Sequence, residues 1–275
     1  MCIRDRLYYN KDLVPTPPQT WDELQAAALD ASKKGVDGVL FNGGRWEGTT
    51  FDWLANFWAQ GGELVDDSGK PIFGEGENKA KMLKALNYFK GLVDSGAAPK
   101  RVATIKDYQD FNAATIAGTD AMFFGGHWQR GQLQGAMPPE ALDKWDIAEL
   151  PGPTADERAT GTGGWTFAAF SKDPAKVEMC ANLIREVYMG PANEAVGDLP
   201  TRQTLFDSLP RFQDPFFAKL KTYLVHGHAR PGVPIYPEIS NQIQIMMGEV
   251  LSGSKSPEDA LQGAWDRTMA TYNKG

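Results

Sequence analysis

The chain has 275 residues, 42% hydrophobic and 23% charged, with a formal net charge of -7. That balance is globular and excludes wholesale disorder; the acidic sign argues against nucleic acid or anionic membranes as main partners, since both demand a basic face. No apolar run approaches the ~18 residues of a membrane-spanning helix, and two cysteines with three histidines make neither a disulfide framework nor a metal centre, so no metal and no cofactor is expected.

Residues 1–6 are charged and lack the apolar stretch of a signal peptide. Leu7-Tyr8-Tyr9-Asn10 then reads at once as an interior strand, so 1–6 is expected to be a foreign or mis-joined N-terminus on a shortened chain. After a Pro-rich turn at 15–18, Thr20 and Glu23 form a capping box that starts a helix to about Lys34, ended by Gly35. A short buried strand follows at 39–41. An apolar, aromatic helix over 51–60 stops at Gly61-Gly62. The segments 64–65 and 72–73 read as a hairpin around Asp67-Ser68-Gly69. Helical spacing predicts helices over 78–95 and 108–117. A strand at 121–124 runs into Gly125-Gly126-His127-Trp128, and another at 145–150 stops at Pro151-Gly152-Pro153. Residues 154–164 are a polar, Gly-rich loop. A buried strand is expected at 165–170, then helices at 175–189 and 216–224, an extended Pro-rich segment at 230–237 and a helix through Ile239, Ile243, Met246 and Val250. Ser256-Pro257-Glu258 caps a last helix. His226 and His228 form an H-x-H pair with no third ligand spaced beside it, which reads as a loop. Cys180 reads as a small buried apolar residue. Strands alternate with helices throughout, so the class is α/β.

Aromatic content is the unusual feature: eight tryptophans. Trp is costly to expose and serves as a flat recognition surface. Trp53 and Trp58 lie on an apolar helix and read as core, as do Trp21 and Trp265. Trp128 sits past a strand end after two glycines, where backbone can approach a ligand closely. Trp46 and Glu47 lie in a segment joining a strand to a helix, the end of an α/β sheet where ligands sit.

Five stretches carry a resemblance: 7–13 with 17–24 (Leu-Tyr-Tyr-Asn-Lys-Asp-Leu, then Pro-Pro-Gln-Thr-Trp-Asp-Glu-Leu), Phe57-Trp-Ala-Gln-Gly-Gly62, Gly125-Gly-His-Trp128, Gly163-Gly-Trp165, and Gly253 with Ser256-Pro-Glu-Asp-Ala-Leu261. In this order and spacing the chain resembles the extracellular solute-binding proteins of ABC sugar importers, family 1, the maltose- and trehalose-binding class. The resemblance implies a two-lobe, type II periplasmic-binding-protein-like α/β fold with sugar bound in the cleft, the lobes closing as hinged bodies. It also implies that the chain lacks the N-terminal part of lobe I. On the family's chain path 7–162 is lobe II, 163–204 is the returning segment of lobe I, and 205–275 completes lobe II. The strand at 165–170 would then lack its sheet neighbours, and 163–204 would pack poorly.

A sugar offers an apolar C–H face and a rim of hydroxyls; aromatic rings stack on the first, and fork-like donors and carboxylates suit the second. By the resemblance Trp128 matches the stacking position. Gly163, Gly164 and Trp165 match the lobe-crossing element, with backbone donors and a second aromatic wall. Arg230 matches a position that hydrogen-bonds hydroxyls. Arg202 is a weaker candidate of the same kind, and Tyr236 and Glu238 flank the Arg230 segment. The expected function is non-catalytic: a monomer outside the cytoplasmic membrane, periplasmic or a lipoprotein, delivering carbohydrate to the membrane subunits of an ABC permease. Two other readings stay open. One is a glycoside hydrolase with Glu47 as acid and Asp52 as nucleophile, which needs two carboxyl groups facing one bond. The other is a single-lobe interaction fragment.

Overall fold

The structure is a computed structural model describing residues 2–3, 6–164, 166–190, 192, 199–200 and 202–274. Its strands are β1 (Cys2–Ile3), β2 (Arg6–Asn10), β3 (Asp37–Leu40), β4 (Asp120–Gly125), β5 (Trp145–Ala148), β6 (Thr160–Gly163) and β7 (Gly227–Ala229). The helices are α1 (Trp21–Ser32), α2 (Glu47–Trp58), α3 (Gly76–Asp94), α4 (Tyr108–Ala117), α5 (Trp128–Ala136), α6 (Pro139–Leu142) and α7 (Pro174–Leu183). They continue as α8 (Gln203–Ser208), α9 (Pro215–Tyr223), α10 (Tyr236–Leu251) and α11 (Pro257–Tyr272).

The core sheet has the order β3-β4-β2-β5. β3 and β4 are parallel, and β2 is antiparallel to both of its neighbours. β2 is the strand read from Leu7-Tyr8-Tyr9-Asn10, and Tyr8 faces Phe123 across the ladder with rings stacked at 4.6 Å. Such a cross-strand aromatic pair fixes register as well as burying area. A smaller sheet, β1-β6-β7, lies apart, with β6 parallel to β7.

Helices with strong end signals form where the signals place them. Thr20 Oγ1 accepts from the Glu23 amide at 3.2 Å while the Glu23 carboxylate accepts from the Thr20 amide, and Gly35 turns the chain at φ 87°. Ser256 caps α11 through the Asp259 amide at 3.1 Å. α10 buries Ile239, Ile243, Met246 and Met247 against α2, α3 and α11. Trp53 and Trp58 are buried as expected, as is Trp21, whose indole donates to Asn56 Oδ1 at 2.9 Å; Trp265 meets Phe73 edge-on at 5.2 Å.

Several elements differ from expectation. α2 starts at Glu47 rather than at 51, so Glu47 is helical and not in a loop. The 64–73 hairpin reduces to one bridge, Val65 to Pro71, because the Asp66 carboxylate takes the turn amides of Ser68 and Lys70. The loop at 154–164 ends in a strand, β6, and His228 lies in β7. No strand forms over 166–170; Phe167 is 50% exposed and Phe170 97%. Among the described residues no neighbouring strand accepts hydrogen bonds from this backbone, and an apolar sequence cannot make a strand alone. α7 buries no residue, so Cys180 is only partly covered rather than core, and the helix ends in a π turn, Ile184–Tyr188.

Candidate functional site

Parallel pairing puts the C-terminal ends of β3 and β4 side by side. Each runs through glycines into a helix that opens beside a tryptophan: Trp46 is the N-cap of α2, and Trp128 is the first residue of α5. Between them stands Tyr108, first residue of α4, edge-on to Trp46 at 5.0 Å and to Trp128 at 5.1 Å. The three rings form one aromatic wall at the strand ends.

The turn before Trp128 is held from both sides. The Tyr8 hydroxyl donates to the Gly126 carbonyl at 2.8 Å, and the Gly126 amide donates to Gln129 Oε1 at 2.9 Å. A Cβ at position 126 would lie 2.1 Å from the Trp128 ring, so any larger residue would force that ring to move. The Trp46 side is held by Asp52, which is buried. Asp52 Oδ2 accepts from the Asn42 side-chain amide at 2.5 Å and from the Asn42 backbone at 3.3 Å; Oδ1 accepts from the Tyr108 hydroxyl at 3.4 Å. One carboxylate thus ties the end of β3, the body of α2 and the central ring of the wall.

A polar group adjoins the wall. Glu47 Oε1 accepts from Arg230 Nη1 at 2.5 Å and from the Tyr236 hydroxyl at 2.7 Å, and Ser240 Oγ donates to Glu47 Oε2. The Arg230 guanidinium lies over the Phe51 ring, 4.1 Å from its centroid. Burial, then the neighbouring Glu47 carboxylate, push the Tyr236 phenol well above the ordinary tyrosine range, so it stays a donor at neutral pH. Gly163 ends β6 against this group: a Cβ there would sit 3.3 Å from Phe51 and 3.7 Å from Arg230. Flat apolar rings beside a carboxylate, a guanidinium and hydroxyls suit a neutral polyhydroxylated ligand. Among the described residues no three His, Cys, Asp or Glu side chains converge as metal ligands, and no helix is long and apolar enough to cross a membrane.

Comparison with known proteins decides the family. A family profile described as bacterial extracellular solute-binding protein matches residues 6–205.

The chain belongs to that family.

A binding protein of Brucella abortus (strain 2308) is 24% identical over 281 residues, covering 98% of this chain and 66% of its own. The chain therefore spans just under two thirds of the length of that curated relative. Maltose-bound MalE3 of T. maritima superimposes with a TM-score of 0.84 at 26% identity, covering 98% of this chain and 71% of that one. A solute-binding protein of an ABC transporter from Thermotoga lettingae TMO, bound with α-D-tagatose, gives 0.80 at 30% identity, covering 97% and 70%. The α/β fold expected from the resemblance is the fold of these binding proteins, and the family is one of binding proteins rather than enzymes.

Within this solute-binding chain the predicted residues divide. Trp46 and Trp128 share the wall; Glu47, Arg230 and Tyr236 share the polar group, with Gly163 against it. Gly164 is exposed beside Gly163. Trp165 lies outside the described residues. Arg202 stands elsewhere, an exposed N-cap of α8 whose Nη2 donates to the Arg185 carbonyl at 3.4 Å. Glu238 is engaged along its own helix, accepting from Gln242 Nε2 at 2.8 Å. Sequence reasoning missed Tyr108, although its position directly after the Asp107 cap of α4 marks a helix start near the strand ends. It also missed Ser240, which is one helical turn beyond Tyr236 and so shares its face. Asp52 was cast as a catalytic partner of Glu47. Its carboxylate is instead buried and accepts from Asn42 and Tyr108 inside the protein.

Proposed function

We propose that this chain carries the carbohydrate-binding surface of an extracytoplasmic binding protein that delivers a mono- or oligosaccharide to the membrane subunits of an ABC permease. The observation that carries the reading is the Trp46–Tyr108–Trp128 wall set beside the Glu47–Arg230–Tyr236 group. A pyranose ring can stack on the wall while its hydroxyls exchange into the polar group, replacing one partner of Glu47 or Arg230 at a time. The sugar-bound state of the two Thermotoga neighbours, with maltose and with α-D-tagatose, supports the ligand class. The extracellular description of the family supports the location. In this reading 7–162 and 205–275 form one lobe, 163–204 returns to the other, and the closed arrangement is favoured only by contacts the ligand makes with both.

Isothermal titration of the protein with maltose, maltotriose and tagatose tests the reading. Saturable binding of one of these neutral sugars, weakened about tenfold or more in Glu47→Gln, is expected, since hydrogen bonds to charged groups contribute about 1.5–3 kcal/mol. Binding of amino acids or peptides in place of every sugar would contradict it.

A further inference from the structure

Of the polar group beside the wall, Glu47, Tyr236 and Ser240 stand on helices, whereas Arg230 follows β7 and precedes Pro231 outside any helix or strand. β7 is a three-residue strand at the edge of its sheet, paired with β6. So short an edge strand supplies few ladder hydrogen bonds. The place of Arg230 therefore depends on what its side chain and its neighbours' side chains touch.

Alternate residues of an extended chain share a face, so His228 and Arg230 point the same way. Both meet α2. The Arg230 guanidinium lies over Phe51 and pairs with Glu47. The His228 ring stacks on Trp58, with centroids 4.3 Å apart and planes 14° from parallel. At 3.6 residues per turn, positions 47, 51 and 58 fall within about 40° of one another around the helix, so all three contacts use one stripe of α2. The order is reversed between the two elements: the later helix residue holds the earlier strand residue. Phe51 and Trp58 are themselves buried, which makes the stripe a rigid template.

His228 has a second partner, Glu63, whose Oε1 lies 3.2 Å from Nε2. The side chains of that pair are 32% and 54% exposed. An exposed pair of this kind contributes little, while a ring stacked on a buried tryptophan contributes more. The stack is the anchor.

We propose that His228 is a positioning residue for Arg230: stacked on Trp58, its ring sets the register of β7 along α2 and so holds the guanidinium between Phe51 and Glu47. This deepens the sugar-binding reading and rests on it, because its effect on affinity passes through Arg230.

Two measurements on the same variants test it. The first is titration calorimetry with maltose, maltotriose and tagatose. His228→Ala should weaken sugar binding about twofold to tenfold, the scale of one aromatic pair. His228→Phe, which keeps a ring on Trp58 and loses the Glu63 contact, should restore it. Glu63→Gln should change it by less than about twofold. The second needs no sugar: the Arg230 Nε–H resonance, assigned by its loss in Arg230→Lys. It should keep its position in His228→Phe and move in His228→Ala. Thermal unfolding identifies variants that do not fold; if His228→Ala is one, His228→Gln replaces it. An Arg230 resonance unmoved in the ring-less variant overturns the proposal. So does a His228→Phe protein that behaves as His228→Ala does, or a Glu63→Gln protein weakened as much as His228→Ala. If the unaltered protein binds none of the sugars, the functional reading fails and the resonance alone decides the role of His228.

Discussion

Asp52 and Asp120 are both buried carboxylates, and they act in opposite ways. Asp52 is surrounded by donors from Asn42 and Tyr108. Asp52→Ala leaves the Asn42 amide groups without their acceptor and frees the central ring of the wall. Its expected cost is about 2–4 kcal/mol in urea unfolding; a cost below that of an ordinary surface change would contradict the bracing role. Asp120 opens β4 and accepts from the Thr115 hydroxyl at 3.0 Å. Burial raises its carboxyl to about 7. The folded state therefore binds this proton more tightly than the unfolded chain, where a carboxyl titrates near 4. The sign follows: the contribution to stability is fully present below pH ~4 and is lost as pH rises to ~7, by up to about 4 kcal/mol. Asp120→Asn should flatten the stability profile between pH 4 and 8. Parallel profiles for the two proteins would show that Asp120 titrates normally.

Elements form where the sequence carries their end signals and fail where they depend on a neighbour. The Thr20–Glu23 box, the Asp107 cap before Tyr108 and the Ser256-Pro257 start all fix helices at the residues that announce them. Thr20→Ala should cost about 1 kcal/mol of stability. The start of α2 was not legible: Trp46 caps it without a side-chain hydrogen bond, and only the acidic Glu47 in its first turn favours the helix dipole. That four-residue error is the one that matters for the site, because it placed Glu47 in a loop rather than on the face that meets Arg230 and Ser240. The strand expected at 165–170 failed for a different reason. Its apolar pattern states a preference, but ladder hydrogen bonds come from another segment. Amide hydrogen exchange should show β2 and β4 protected through the global unfolding free energy, and 166–170 exchanging near the intrinsic rate. Strong protection across 166–170 would mean a partner strand covers it.

At the scale of the whole molecule, two parallel strand ends bring together residues 46, 108 and 128, and the C-terminal helices add residues 230, 236 and 240 from far along the chain. The first grouping was partly legible, since strand, glycine pair and tryptophan recur at both ends. The Glu47 contacts were not, because nothing local relates position 47 to positions 230 and 240. The family and its α/β fold were legible from motif order alone. The proposed stacking of sugar on the wall is tested by the affinity of Trp128→Ala for the sugar that the unaltered protein binds. A loss of about tenfold to a hundredfold is expected, the scale of a buried aromatic anchor, with the circular dichroism and unfolding midpoint nearly unchanged because Trp128 packs at the rim of the core. Undiminished affinity in a folded Trp128→Ala protein would contradict it.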